Sequence, residues 1–353
     1  MNYHFKNKRI TGVLSVLPEN EYRFEDEIRD PENPKARRLK KIIGYGTRRR
    51  VKRDTTVSDL LLYGLRHLIT RGQLKTEEIG AIVVVTLCQD HILPTISSII
   101  HGELELSREV FCVDIPNACA GYVIGLIESF MLLDQMQNKK VILCTGEVFN
   151  RKGGEEPKRD EASFGGDIAN ISIIENVSEG YNDEICGVVY NDGVQRNELL
   201  IEYGGFRKPM TKEMIEGDIN HLPCSGVSMD GSGVFNFVQK EVPPLIREIS
   251  DLAGYKIEDY DYFLFHQPNR FMLEKLATAM EIPYEKLPMN ITETLGNSDS
   301  GTIPAVMTTD LKKELSGEDC LCCLSGFGGG LTWAAITMHI GHLAFCDNIV
   351  SDL

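Results

Sequence analysis

Residues 110–133 read VFCVDIPNACAGYVIGLIESFMLL. The apolar, β-branched run 110–115 predicts a buried strand, Pro116-Asn117 ends it, and from Ala120 onward apolar residues recur at helical spacing. Cys119 therefore falls at a strand-to-helix corner, where unpaired N–H groups and the positive dipole end of the helix favour a thiolate. The small neighbours Ala118, Ala120 and Gly121 would let a substrate approach the backbone. A free cysteine is more commonly an inert core residue. On local grounds a nucleophile and a structural thiol stand about level.

Working outward, strand and helix alternate. Residues 9–17 predict a strand, 19–38 a polar helix and loop broken at Pro31 and Pro34, and 44–50 a tight basic turn. An amphipathic helix over 56–72 precedes an apolar strand over 79–87, and 140–147 (KVILCTGE) is a further buried strand. The second half repeats the alternation with helices at 233–250, 270–280 and 303–315 and strands at 261–265 and 320–324. This is the pattern of a layered α/β protein.

Two later segments carry chemistry-bearing side chains. FLFHQPN (263–269) places His266 at the end of an apolar strand, the end at which open α/β sheets build sites. A lone histidine there is more often a satisfied core residue. LGNSDSGTIP (295–304) is a glycine-rich loop entering a helix, which by itself reads as a turn with an N-cap. FGGDIAN (164–170) reads as a turn whose glycines allow close backbone approach, and it is no phosphate loop.

Together these segments resemble the β-ketoacyl-acyl-carrier-protein synthase III family, thiolase-fold enzymes that condense acyl thioesters. ACAGY resembles the family's active-site segment, HQPN its HQxN signature, and GNSDSGTIP its GN(S/T)xxxxxP signature. SGFGGGLTW (325–333) is similar to its C-terminal glycine motif, IIGYGTRRR (42–50) to its GIxxRR segment, and FGGDIAN to its FGDGAGA turn, with Ile168 and Asn170 replacing small residues. The order Cys119, His266, Asn297 is also the family's order.

The resemblance implies a thiolase-like α-β-α-β-α sandwich of two similar halves, 1–178 with the cysteine and 179–353 with the histidine and asparagine. It implies Cys119, His266 and Asn297 as catalytic residues and backbone N–H groups of Cys119 and Gly329 as the oxyanion hole. Leu93, Asn269 and Phe327 are then expected at the substrate, and Arg48, Arg49, Arg50 and Arg270 at a docked acyl carrier protein. The implied reaction is a decarboxylative condensation through an acyl-Cys119 intermediate, using coenzyme A or carrier-protein thioesters and no metal or redox cofactor. An acyltransferase on the same scaffold, passing the acyl group to a sugar, amine or alcohol, is the alternative. A silent partner subunit is disfavoured by the intact Cys-His-Asn set. The family's nucleotide-stacking tryptophan has no counterpart, since Trp333 is the single tryptophan, and this favours a carrier protein over coenzyme A as donor. Arg270 directly follows Asn269, whereas the family spaces that arginine by one residue, which turns it about 100° around the helix.

Composition sets the remaining bounds. With 353 residues, 42% of them hydrophobic, the chain can bury a large core as one big domain or two ordinary ones. No eighteen-residue apolar run and no signal-peptide core are visible, so a cytoplasmic protein that does not span a membrane is expected; the resemblance implies a homodimer. Ten cysteines lie mainly in apolar runs, which fits reduced thiols; Cys320, Cys322 and Cys323 alternate faces of a strand and lack metal-site spacing. A net charge of −15 disfavours nucleic acid as a partner. Residues 35–53 hold ten Lys/Arg and no acid, so the rest of the chain carries −25. Such a run is either a solvated arm or a docking patch for an anionic partner.

Overall fold

Apolar runs bounded by glycine and proline breaks become the strands of two stacked sheets. The computed structural model describes residues 1–28, 30–149, 165–177, 184–211 and 227–353. In chain order its strands are β1 (Asn2–Lys6), β2 (Lys8–Pro18), β3 (Asn20–Arg23), β4 (Thr47–Arg50) and β5 (Ile79–Val85). There follow β6 (Phe111–Ile115), β7 (Lys140–Glu147), β8 (Ile168–Asn176), β9 (Glu184–Asn191) and β10 (Leu199–Ile201). The last are β11 (Val227–Met229), β12 (Tyr262–Phe265), β13 (Asp319–Gly328), β14 (Thr332–Gly341) and β15 (Phe345–Ser351). One sheet has the order β15-β2-β8-β7-β5-β6 and the other β1-β9-β14-β13-β12.

The helix Gly121–Leu133 lies between the sheets. Tyr122, Val123, Leu126, Ile127 and Phe130 are buried in one cluster with Val83 and Leu143 of the first sheet and Leu324 and Ile336 of the second. The helix Thr302–Thr309 shares this middle layer through Ile303, Val306 and Met307. Truncating a side chain such as Phe130 here would cost about 3–5 kcal/mol. Helices Val57–Thr70 and Ile96–Glu103 cover the outer face of the first sheet, and Gly231–Ala253 and Arg270–Met280 that of the second. The architecture is the expected α-β-α-β-α sandwich.

Strand membership does not divide cleanly along the chain. β1 joins the second sheet by pairing with β9, and β15 joins the first by pairing parallel to β2. The expected boundary at 178/179 falls outside the described residues.

Three local expectations change. The run 110–115 was expected to be buried, but β6 is the edge of its sheet and Phe111 is 49% exposed. The helix expected over 303–315 is two helices, Thr302–Thr309 and Lys312–Gly317, because Leu311 leaves helical geometry at φ −116°, ψ 16°. The basic turn expected over 44–50 ends in β4, which pairs antiparallel with β3. Before it, the helix Pro34–Ile43 starts at the Asn33 cap and stops at Gly44, whose φ of 77° suits glycine. Phe24, Ile28, Ala36, Ile43 and Tyr45 close a small separate core under this segment.

Among the described residues no helix is long and apolar enough to cross a membrane. The nine described cysteines are free. Cys320 and Cys322 face the central core and Cys323 the outer one, as strand alternation requires.

Candidate active site

Pro116 and Asn117 end β6, and the chain turns through Ala118–Ala120 before the helix Gly121–Leu133 begins. The Gly121 N–H closes this corner on the Ala118 carbonyl at 2.7 Å. Glycine is needed at its start, since a Cβ on Gly121 would come within 2.4 Å of Val85 Cγ1. Cys119 sits in the corner at 7% exposure. Gly328, at the end of β13, leaves room for the thiol: a Cβ there would meet Cys119 Sγ at 2.7 Å.

His266 follows β12 and is buried beside Phe327, whose ring meets it edge-on at a centroid distance of 5.7 Å. Its Nδ1 lies 2.9 Å from Thr302 Oγ1. That hydroxyl donates its one proton to the Asp299 carbonyl at 2.9 Å and accepts from the Gln267 N–H at 3.3 Å. Hydrogen-bond count therefore assigns the proton to Nδ1 and leaves Nε2 with a lone pair. Burial pushes the imidazole down to about 3, so the ring is neutral at pH 7.

The loop 295–301 brings in a residue that the motif comparison gave no role. Asn297 Oδ1 accepts the Asp299 N–H at 2.9 Å, closing a tight turn in which Asp299 adopts φ 45°. Its carboxylate is thereby turned onto Cys119, whose thiol donates to Oδ1 at 3.4 Å. Cys119, His266 and Asp299 each bring a donor atom within 4.8 Å of the others. A second acid, Glu147 at the end of β7, is fully buried and accepts from Leu87 N–H and Thr86 Oγ1.

The electrostatics reverse the expectation from the helix corner. Burial, then Asp299 and Glu147, hold the Cys119 thiol well above its ordinary pKa. Burial and the Asp299 charge likewise raise Glu147. Asp299 is pushed up to about 6, mainly by its surroundings, although part of its surface remains accessible. Among the described residues, buried oxygens of Asn117 and Ser298, on the two segments flanking the thiol, have no hydrogen-bond partner. Cys119, His266 and Asp299 also have the spacing to hold a metal ion, as do His4, Glu184 and Cys186 on β1 and β9.

The other expected residues scatter. Gly329 follows Gly328 and faces the Leu199 side chain. Gly166 fits against the loop before Asn297, where a Cβ would collide with the Leu295 carbonyl, in keeping with a close backbone approach. Leu93 is 82% exposed on the loop before the helix Ile96–Glu103. Asn269 caps the helix Arg270–Met280 by accepting from Met272 N–H at 2.8 Å.

The basic residues depart from the docking expectation. Arg48 is 1% exposed, donates twice to Glu27 Oε1 at 2.9 and 2.5 Å, and donates to the Gly165 carbonyl at 2.8 Å. Arg49 bonds Glu21 and the Pro18 carbonyl, Arg50 pairs with Glu27 over the Tyr22 ring, and Arg270 pairs with Glu293. Strand alternation turns the Arg48 side chain inward, so it cannot meet a docked partner.

The sandwich, with a buried cysteine and histidine meeting where strands end, defines a thiolase-fold enzyme. Residues 251–340 match the family model described as 3-oxoacyl-(acyl-carrier-protein) synthase III, C-terminal. The chain is 26% identical to the β-ketoacyl-(acyl-carrier-protein) synthase III of Lactococcus lactis, covering 94% of this chain and 99% of that protein. It is 28% identical to the synthase III of Streptococcus uberis over 83% of this chain and 87% of the relative. The crystal structure of a 3-oxoacyl-(acyl-carrier protein) synthase from Burkholderia xenovorans superposes with a TM-score of 0.89 at 28% identity, covering 99% of both chains. The chain is thus similar over nearly its whole length to β-ketoacyl-acyl-carrier-protein synthase III proteins, with which it shares the thiolase fold.

Proposed function

We propose that the chain catalyses a decarboxylative Claisen condensation. The Cys119 sulfur attacks an acyl thioester, releasing the carrier thiol and leaving acyl-Cys119. A malonyl-type thioester then loses carbon dioxide, its enolate carbon attacks the acyl carbon, and the Cys119 thiolate departs from the 3-oxoacyl product. The observation that carries this reading is the meeting of Cys119 and His266 at strand ends of a synthase III fold. Backbone N–H groups at Cys119 and Gly329 are assigned to the oxyanion. His266 and the Asn297 amide are assigned to the enolate oxygen. For that role His266 needs its proton on Nε2, which turning the Thr302 hydroxyl toward Nδ1 provides.

The acyl donor is proposed to be a carrier-protein or coenzyme A thioester. With Arg48 buried, the surface for an acidic carrier protein moves to the helix Pro34–Ile43, which exposes Lys35, Arg37, Arg38 and Lys41. A homodimer through β6 is proposed because this edge strand exposes Phe111, and the nearby loop exposes Ile92 and Leu93.

One observation favours the acyltransferase alternative. The Asp299 carboxylate beside Cys119 is a base that decarboxylation does not require but that an incoming hydroxyl or amine would use. Purified protein is loaded with a panel of acyl thioesters, followed by mass spectrometry, and then given a malonyl thioester. Carbon dioxide and a 3-oxoacyl product are expected. Acyl transfer to an alcohol or amine without carbon dioxide release would establish the alternative, and no acylation of Cys119 by any donor would refute both.

A further inference from the structure

We propose that Asp299 is the general base for loading Cys119, taking the thiol proton as the sulfur attacks the acyl thioester. This rests on the reading of Cys119 as the nucleophile and adds a residue to the machinery. The geometry is direct, because the thiol donates to Asp299 Oδ1 at 3.4 Å. The carboxylate is also held in place. The backbone of Asp299 is fixed at its N–H by Asn297 Oδ1 and at its carbonyl by Thr302 Oγ1. It holds φ 45°, a conformation rare outside glycine and frequent at functional sites. No ion pair to a Lys or Arg is recorded for Asp299 among the described residues.

The thiol needs such a partner. Cys119 is buried between two acids, and both oppose its ionisation, so free thiolate is scarce at pH 7. Proton loss must then accompany attack. His266 is the rival base through its Nε2 lone pair, but the thiol's hydrogen bond runs to Asp299, and burial makes the ring a weaker base than the carboxylate. The ionisable groups facing Asp299 are Cys119, Glu147 and His266. β8 and the helix Thr302–Thr309 face this loop with Ile168, Asn170 and Thr302, none of which titrates.

In the step, the S–H proton passes to Asp299 Oδ1 while the S–C bond forms and the thioester carbonyl becomes an oxyanion. Collapse breaks the bond to the carrier sulfur, and that leaving thiolate recovers the proton from Asp299. The site ends as acyl-Cys119, a free carrier thiol and an ionised carboxylate.

The test is single-turnover acylation of Cys119 by a pantetheine thioester, read by intact mass spectrometry from pH 5 to 9, for the wild type, Asp299→Asn and Asp299→Glu. The wild-type rate should rise through about pH 6. D299N should lose roughly 100-fold or more at neutral pH, together with that rise. Alkylation of Cys119 by iodoacetamide provides the control. Removing a neighbouring negative charge eases thiolate formation, so D299N should alkylate as fast as the wild type or faster. If both reactions slow together, D299E decides: return of the pH-dependent rate supports the base, and its absence refutes it. D299N acylated at the wild-type rate also overturns the inference while leaving the condensation standing. A wild type that no thioester acylates would instead sink the nucleophile reading itself.

Discussion

Replacing Arg48 with methionine should destabilise the protein far more than it changes encounter with a carrier protein. The guanidinium is almost wholly buried and, among the described residues, donates twice to Glu27 and once to the Gly165 carbonyl. Methionine approximates its stem but leaves Glu27, itself 7% exposed at the side chain, with Arg50 and the Tyr45 hydroxyl. Breaking a buried pair by removing one partner costs about 3–5 kcal/mol. An unfolding entropy of about 2.1 cal/mol/K per residue over 353 residues is about 0.7 kcal/mol/K, so the loss corresponds to a fall in Tm of about 4–7 °C. Thermal unfolding followed by circular dichroism measures it, with Arg38→Met on the exposed helix face as the control expected within about 1 °C. A R48M protein with wild-type Tm and a raised KM for carrier-bound substrate would refute the burial argument and restore the docking role.

Further outcomes follow from the site. Asp299 holds its proton in the folded state up to about pH 6, against 3.8 as the reference, so folding is favoured below that window and penalised above it. D299N should therefore match the wild type near pH 4 and exceed it above pH 6, by at most about 3 kcal/mol before solvent screening, in urea titrations. His266 carries the opposite sign: with its folded value near 3 against 6.5, stability is present above pH 6.5 and lost as pH falls. H266Q should accordingly lose less stability than the wild type between pH 6 and 4, and an equal loss would contradict the neutral buried ring. Gly328→Ala places a methyl 2.7 Å from Cys119 Sγ and should cut Cys119 acylation at least tenfold. Gly329→Ala meets only the Leu199 side chain at 3.6 Å, keeps its N–H, and should acylate within a few-fold of the wild type. Leu93→Asp should shift the proposed homodimer toward monomer by analytical ultracentrifugation, and an unchanged mass would remove this loop from the interface.

The layered architecture was legible because its signals are local. Apolar β-branched runs, helical periodicity over 56–72 and glycine breaks each specify an element without reference to the rest of the chain. The terminal strands were not legible in the same way. β1 and β15 each join the sheet built mainly by the opposite half of the chain, and nothing in FCDNIVS names β2 as its neighbour. The basic run misled because charge density was read without strand alternation. TRRR as part of β4 must send neighbouring arginines to opposite faces, and one face covers the small core under the segment.

The acids of the site escaped for a different reason, and they change what the corner cysteine means. Glu147 closes the apolar strand KVILCTGE, and Asp299 lies two residues beyond Asn297; an acid at such positions was a usable signal. Without them, the helix N-terminus is the only nearby influence on Cys119 and a lowered thiol pKa follows. A helix terminus contributes about 0.3–1 kcal/mol, rising to about 2 when partly buried. Burial raises the thiol first, and Asp299 and then Glu147 push the same way. Desolvation outweighs the helix terminus. Cys119 is therefore a thiol at rest whose reactivity depends on a base in contact. Burial alone keeps the corner from acting as an activated thiolate, and Asp299 and Glu147, 28 residues and more away along the chain, add to it.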